Sequence, residues 1–237
     1  MRLAFEYGTK TIAFEVEFRH RKTLEISIEP PDIIKVVAPI GTSEDDIIKK
    51  VRSKANWIVQ KLFEYKNMKY IKIHKELVNG ESFMYLGRNY SLQIIIDQSK
   101  AKPEVKLHQG KFYITANTSN ETILRMALQE WYREKALEKI KKRIIYFQPY
   151  FKNEPSDIVV KEQQKRWGSC TSNNKLLFNW RCVMAPAPVL DYIVVHEMCH
   201  MVHMNHSKEY WKLVESIIPD YKERKEWLRN NGVRMDL

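Results

Sequence analysis

Apolar side chains divide the sequence into a strand-like first part and a helix-dominated second part. Residues 23–30, TLEISIEP, alternate apolar and polar positions, the period of a strand with one buried face. Pro30-Pro31-Asp32 supplies a turn before a second apolar run, IIKVVAPI, so the first forty residues are expected to be β-rich. The spacing then lengthens. In TSEDDIIKKVRSKANWIVQKLFEYK, Ile47, Ile48, Val51, Ala55, Ile58, Val59 and Leu62 recur at helical intervals and predict one amphipathic helix. Ser43 is placed to cap it, with Asp46 three residues on. Two hairpin-like pieces follow, around Gly80 and Gly87 and around LHQGKFYI, where Gln109-Gly110 makes the turn.

A long helix over about 120–147 is predicted by Ile123, Leu124, Ala127, Leu128, Trp131, Leu137, Ile140 and Ile144. After a break at KNEPSD come two short strand candidates, IVVKEQ and KLLFNWRCVM, with RWGSC (166–170) between them. Pro186 and Pro188 then introduce PVLDYIVVHEMCHMVHM, which is apolar nearly all round, as expected of a buried helix. Two shorter helices are expected to finish the chain, one after Ser207 and stopped near Pro219, one from about 221 to 230 and ended by Gly232. The order of elements predicts an α+β fold. Its β-rich N-terminal portion is expected over 1–117 and its helical portion over 118–237.

Composition narrows the class without deciding it. A chain of 237 residues with 44% hydrophobic and 29% charged residues suits an ordinary globular protein. The first ten residues, MRLAFEYGTK, contain no apolar leader segment, and no apolar run is long enough to span a bilayer. A cytoplasmic protein with no membrane partner is therefore expected. Three cysteines (Cys170, Cys182 and Cys199) fit neither a disulfide framework nor a CxxC knuckle, which agrees with a reducing compartment. The net charge of +11 points weakly to an anionic partner such as nucleic acid or a nucleotide. The cations alternate with acids along stretches such as REKALEKIKKR, the pattern of a solvated helix face.

The buried helix changes the picture. Its His196 and His200 are four residues apart and share one helical face, so their imidazoles can converge on one ion. Glu197 projects about 100° round the axis from His196, where it can hold a water without being a ligand. This is the HExxH pattern of zinc hydrolases, in which the metal polarises a water and the carboxylate takes its proton. An unpaired carboxylate and two imidazoles are costly in apolar surroundings, and a divalent cation resolves that conflict. His203 lies on the same face, but about 10 Å along the axis from His196, too far on a straight helix. His206 is ten residues from His196, the spacing of HExxHxxGxxH, and Met204-Asn205 permits the turn that would swing it back. It is the preferred third ligand. The rival is a downstream glutamate, Glu209 or Glu215.

The block from RWGSC through LLFNWRCVMAPAPVLDYIVVHEMCHMVHMNHSKEYWKLVESIIPDYKERKEWL resembles the YgjP-like metal-dependent hydrolases, zincins related to the SprT and WLM groups. The resemblance is strong over 158–230 and looser through APIGTSEDDI and YLGRNYSL. Tyr210 stands where that pattern leads one to expect phenylalanine. The resemblance implies a zincin-like fold, one catalytic Zn²⁺ on His196, His200 and His206, Glu197 as catalytic base, and a peptide or protein substrate. Two alternatives stay open beside a metallopeptidase: a metal-dependent nucleotide pyrophosphatase and a DNA-associated protease of the SprT type. RWGSC has two readings, an edge strand able to pair with an extended peptide or a turn at Gly168 with Trp167 and Cys170 in the core. Arg166 is placed to bind a carboxylate or phosphate.

Overall fold

The computed structural model describes residues 1–29, 32–67, 75–163 and 166–237, the side chains of 64–67 excepted. Pro30 and Pro31, expected at a turn, lie outside the described residues. The chain is α+β and forms two compact units, Met1–Ile71 and Lys72–Leu237.

In the first unit, strands β1 (Arg2–Tyr7), β2 (Lys10–Arg19), β3 (Glu25–Glu29) and β4 (Ile33–Pro39) form a sheet in the order β1-β2-β4-β3. The hairpin pairs are antiparallel, while β2 and β4 run parallel. Alternate residues of β2 and β4 are buried (Ile12, Phe14 and Val16; Ile34, Val36 and Ala38), which is the strand period read from the sequence. The expected single helix is broken in two, α1 (Glu44–Arg52) and α2 (Ala55–Asn67). Ser53 causes the break: its hydroxyl donates to the Lys50 carbonyl at 2.7 Å and Lys54 N–H turns back to Val51 at 2.9 Å. The capping reading holds, since Ser43 Oγ accepts from Asp46 N–H at 3.2 Å and donates to the Asp46 carboxylate at 2.6 Å. Ile47, Val51, Ala55 and Ile58 complete this core.

The second unit repeats the plan. Strands β5 (Ser82–Tyr85), β6 (Arg88–Ile96), β7 (Glu104–His108) and β8 (Lys111–Ala116) are ordered β5-β6-β8-β7, again with the central pair parallel. Helix α3 (Glu121–Phe147) follows, with Asn120 capping it by accepting from Ile123 N–H at 3.2 Å. A third sheet of β9 (Asp157–Lys161), β10 (Gly168–Cys170) and β11 (Lys175–Asn179) has the order β10-β11-β9. Its β9 and β11 are parallel and its β10 and β11 antiparallel, the same arrangement without the first strand. Helices α4 (Ala187–Cys199), α5 (Lys208–Ile217) and α6 (Tyr221–Asn231) complete the unit. The boundary expected at 117/118 falls inside this unit, between β8 and α3. Phe112 and Ile114 share a core with Leu128, Trp131 and Tyr132, and the rings of Phe112 and Trp131 are 4.8 Å apart.

The β5–β6 turn is tied to the start of α4. Leu86 and Gly87 are both left-handed, at φ 47° and 78°, and their N–H groups donate to Val183 and Met184 carbonyls at 2.8 and 2.9 Å. A Cβ on Gly87 would lie 2.9 Å from Pro186 Cα, immediately before α4. Gly87→Ala is therefore expected to cost about 2–4 kcal/mol, from backbone strain together with this collision. A lowered urea midpoint at unchanged m-value is the readout; an unchanged midpoint would show that the turn does not brace α4.

Candidate metal centre

Helix α4 carries apolar side chains on every face, and Val194, Val195, Met198 and Cys199 are fully buried. Among them, Glu197 is also buried, and His196 and His200 are half-buried. The helix ends at Cys199, earlier than the pattern predicts. His200 N–H donates to Glu197, Met201 N–H to Met198 and Val202 N–H to Cys199, tight one-turn bonds that curl the chain away from the axis. The expected left-handed turn at Asn205 is not used, as Asn205 has no positive φ. Ser207 then caps α5 by accepting from Tyr210 N–H at 3.3 Å.

This early exit returns His206 to His196. Their Nε2 atoms are 3.2 Å apart, and one ring nitrogen from each of His196, His200 and His206 falls within a 4.8 Å group. His200 Nδ1 is 3.1 Å from the His203 carbonyl, so the proton sits on Nδ1 and the Nε2 lone pair is free. His203 thus contributes its backbone, and its ring stays out of the cluster. Glu209 and Glu215 are also outside it, and Glu215 lies 3.7 Å from Lys222.

Electrostatics keeps the cluster neutral. Burial, then the neighbouring imidazoles and Lys225, lowers His196 to about 3. Burial likewise holds His200 and His206 below the ordinary histidine range. His196 Nδ1 is buried without a hydrogen-bond partner among the described residues, so the imidazolium, which needs an acceptor at both nitrogens, is further disfavoured. Glu197 is pushed the other way: burial raises its carboxyl to about 8, against the pull of the Arg166 charge.

Several supporting residues were not legible as such. Tyr210, fully buried, donates its hydroxyl to the His196 carbonyl at 2.9 Å and stacks on His200 at 4.6 Å. That carbonyl loses its helical donor when His200 N–H turns to Glu197, so the hydroxyl replaces a missing bond. The tyrosine that stands in place of the expected phenylalanine therefore bears on the site. Tyr210→Phe is expected to cost about 1–2 kcal/mol by orphaning this carbonyl. Denaturant unfolding checks it, and an unchanged stability would mean the carbonyl finds another donor.

RWGSC meets the cluster at its glycine. Gly168 is a strand residue, not a turn, and a Cβ built on it would lie 2.6 Å from Glu197 Cγ and Oε1. Each of the two readings holds in part: β10 is an outer strand of its sheet, while Trp167 and Cys170 pack, partly buried, against the core. Asn179, buried and polar, pins the approach to β10 by donating to the Gln163 carbonyl at 2.7 Å, while its own N–H donates to the Trp167 carbonyl at 2.8 Å. Burial pushes the Cys170 thiol up to about 11, so it is protonated and a poor nucleophile.

The family model that describes YgjP-like proteins as a metallopeptidase domain matches residues 22–231. The chain belongs to this family. As a YgjP-like metallopeptidase it is a metal-dependent hydrolase, and the helix that carries HExxH lies within the matched region. No curated protein matches the chain. Among solved structures, the crystal structure of the metallopeptidase zymogen of Pyrococcus abyssi abylysin aligns at 19% identity. It covers 39% of this chain and 88% of its own at a TM-score of 0.31, a likeness too distant to bear on the fold. Among the described residues, no helix of this YgjP-like chain is long and apolar enough to cross a membrane.

Proposed function

We propose that the chain is a zinc peptidase in which His196, His200 and His206 hold the metal and Glu197 is the general base. The observation that carries this reading is the convergence of three neutral imidazole nitrogens within 4.8 Å, next in sequence to a buried carboxyl group. The donor set suits zinc. Two nitrogens each at the usual zinc distance on a tetrahedral ion are about 3.3 Å apart, and His196 and His206 Nε2 are separated by 3.2 Å. When bound, zinc supplies Lewis acidity to the scissile carbonyl and to the attacking water.

The chain's own residues divide the remaining work. Glu197 Oε takes a proton from the water and delivers it to the leaving nitrogen. Gly168 leaves the carboxylate room to stand against β10. Among the described residues β10 has a strand partner on one side alone, and its outer edge would take an extended peptide with its backbone alongside Glu197. The apolar walls of α4 keep the surroundings dry and strengthen the interactions of charge. His206→Ala tests the ligand set. It is expected to lower zinc affinity by at least about tenfold, measured by competition with a chromophoric chelator. Unchanged affinity would exclude His206 and return attention to the glutamates.

A further inference from the structure

A cleft of about 590 Å³ opens beside the imidazole cluster, within the size range of small-ligand pockets. Four rings wall it: Trp167 from the segment before β10, Tyr192 on α4, Trp211 on α5 and Tyr221 on α6. Two of them also touch the candidate metal ligands. Trp211 stacks on His206 at 5.4 Å, and Tyr192 meets the edge of His196 at 5.7 Å. Trp211 and Tyr221 stack on each other at 5.3 Å, making a continuous aromatic wall that starts at His206. Gly232 permits the position of Trp167, since a Cβ there would lie 2.6 Å from the indole.

The polar groups at this cleft are mostly cationic. Lys225 Nζ sits 4.4 Å over the Trp211 ring and has no carboxylate within ion-pair distance among the described residues. Lys222 lies over Tyr221 at 5.7 Å, with Glu215 at 3.7 Å as an exposed counter-charge. Glu226, the acid at the cleft, is already engaged by Arg229 and Asn230 at 2.5 and 3.0 Å. An apolar wall under an unneutralised ammonium group suits one kind of occupant: a flat apolar group that carries a carboxylate close by.

We infer that this cleft is a specificity pocket for a peptide segment in which an aromatic side chain stands next to a carboxylate, read by the rings and by Lys225 respectively. The inference rests on the peptidase reading for the identity of the occupant. The carboxylate has two sources, an acidic side chain or the free C-terminus of the peptide.

The test is titration of tryptophan fluorescence, to which Trp167 and Trp211 at the cleft contribute among six tryptophans, with zinc-loaded Glu197→Gln protein and with metal-free wild type. Metal-free protein removes signals from carboxylates that ligate zinc. The probes are N-acetyl-Phe-Asp-amide, its Asn counterpart, N-acetyl-Phe with a free carboxylate, N-acetyl-Phe-amide and N-acetyl-Ala-Asp-amide. Each acidic phenylalanine probe is compared with its neutral partner. At least one is expected to bind about fivefold tighter at low salt, an advantage that shrinks at high salt. Lys225→Met is expected to abolish that preference and Lys225→Arg to restore it. A preference confined to the aspartyl probe assigns an internal acid, and one confined to the free acid assigns the C-terminus. Equal binding of acidic and neutral probes, or of alanine and phenylalanine probes, would overturn the inference. Failure of the peptidase reading is separable: it would appear as absence of cleavage of any peptide by zinc-loaded wild type, whatever the cleft binds.

Discussion

Replacing Glu197 with glutamine is expected to lower peptide hydrolysis by about 10²- to 10⁴-fold while zinc content is retained. Glutamine keeps the size of the side chain and its fit against Gly168, but it cannot accept the proton of the attacking water. KM is expected to change little, because β10 and the aromatic cleft are untouched. Without metal, the same substitution has the opposite consequence for stability. Burial raises the Glu197 carboxyl to about 8 from an ordinary 4.5. A raised folded-state value contributes stability that is fully present below 4.5 and lost as pH rises through 8. Over that interval the unfolded chain has ionised this carboxyl and the folded chain has not, so each pH step of one removes about 1.4 kcal/mol from the metal-free wild type. Metal-free Glu197→Gln is thus expected to gain stability relative to wild type between pH 4.5 and 8, and little beyond. Thermal melts with chelator across that range measure the difference. A pH-independent difference would mean that the carboxyl is solvated.

Gly168→Ala is the second large effect. The added methyl would occupy a point 2.6 Å from Glu197 Cγ and Oε1, closer than carbon atoms approach one another. Either the carboxylate swings off β10 or the strand retreats from α4. A displacement of about 1 Å at a reacting group costs on the order of 10²-fold in kcat. The three histidines proposed to hold zinc are on α4 and the turn after it, so metal affinity is expected to stay within about threefold. A variant that loses zinc and activity together would instead place Gly168 in the support of the ligands. Full activity with bound zinc would show that Glu197 tolerates displacement.

Which parts were legible follows from the range of the interactions involved. The HExxH pair is local: two residues four apart on a helix share a face whatever surrounds them. His206 was legible by spacing, although the turn that delivers it is not the one the sequence suggests. Tight bonds after Cys199 and the Tyr210 hydroxyl on the His196 carbonyl produce that turn, and the second of these spans fourteen residues. Gly168 carries a local signal for a turn, whereas its real constraint is a side chain 29 positions away on another element. Ser53 looks like one polar position on a helix surface, and only its back-bond to Lys50 breaks α1 from α2. The recurring β-sheet plan has no sequence period because it is a matter of strand order, and each copy meets a different core. The placement of the hairpin sheet with α3, across the expected boundary at 117/118, depends on Phe112 meeting Trp131.

The three histidines and Glu197 are proposed to make a hydrolytic zinc centre. The most direct test of that proposal is digestion of an unbiased peptide library by zinc-loaded protein, read as new termini by mass spectrometry, with Glu197→Gln alongside and zinc counted in both. Wild type is expected to hold one zinc per chain and to generate termini that chelator abolishes. Glu197→Gln should hold the same zinc and generate almost none. Equal cleavage by the two proteins, or no cleavage by a wild type that carries its zinc, would contradict it.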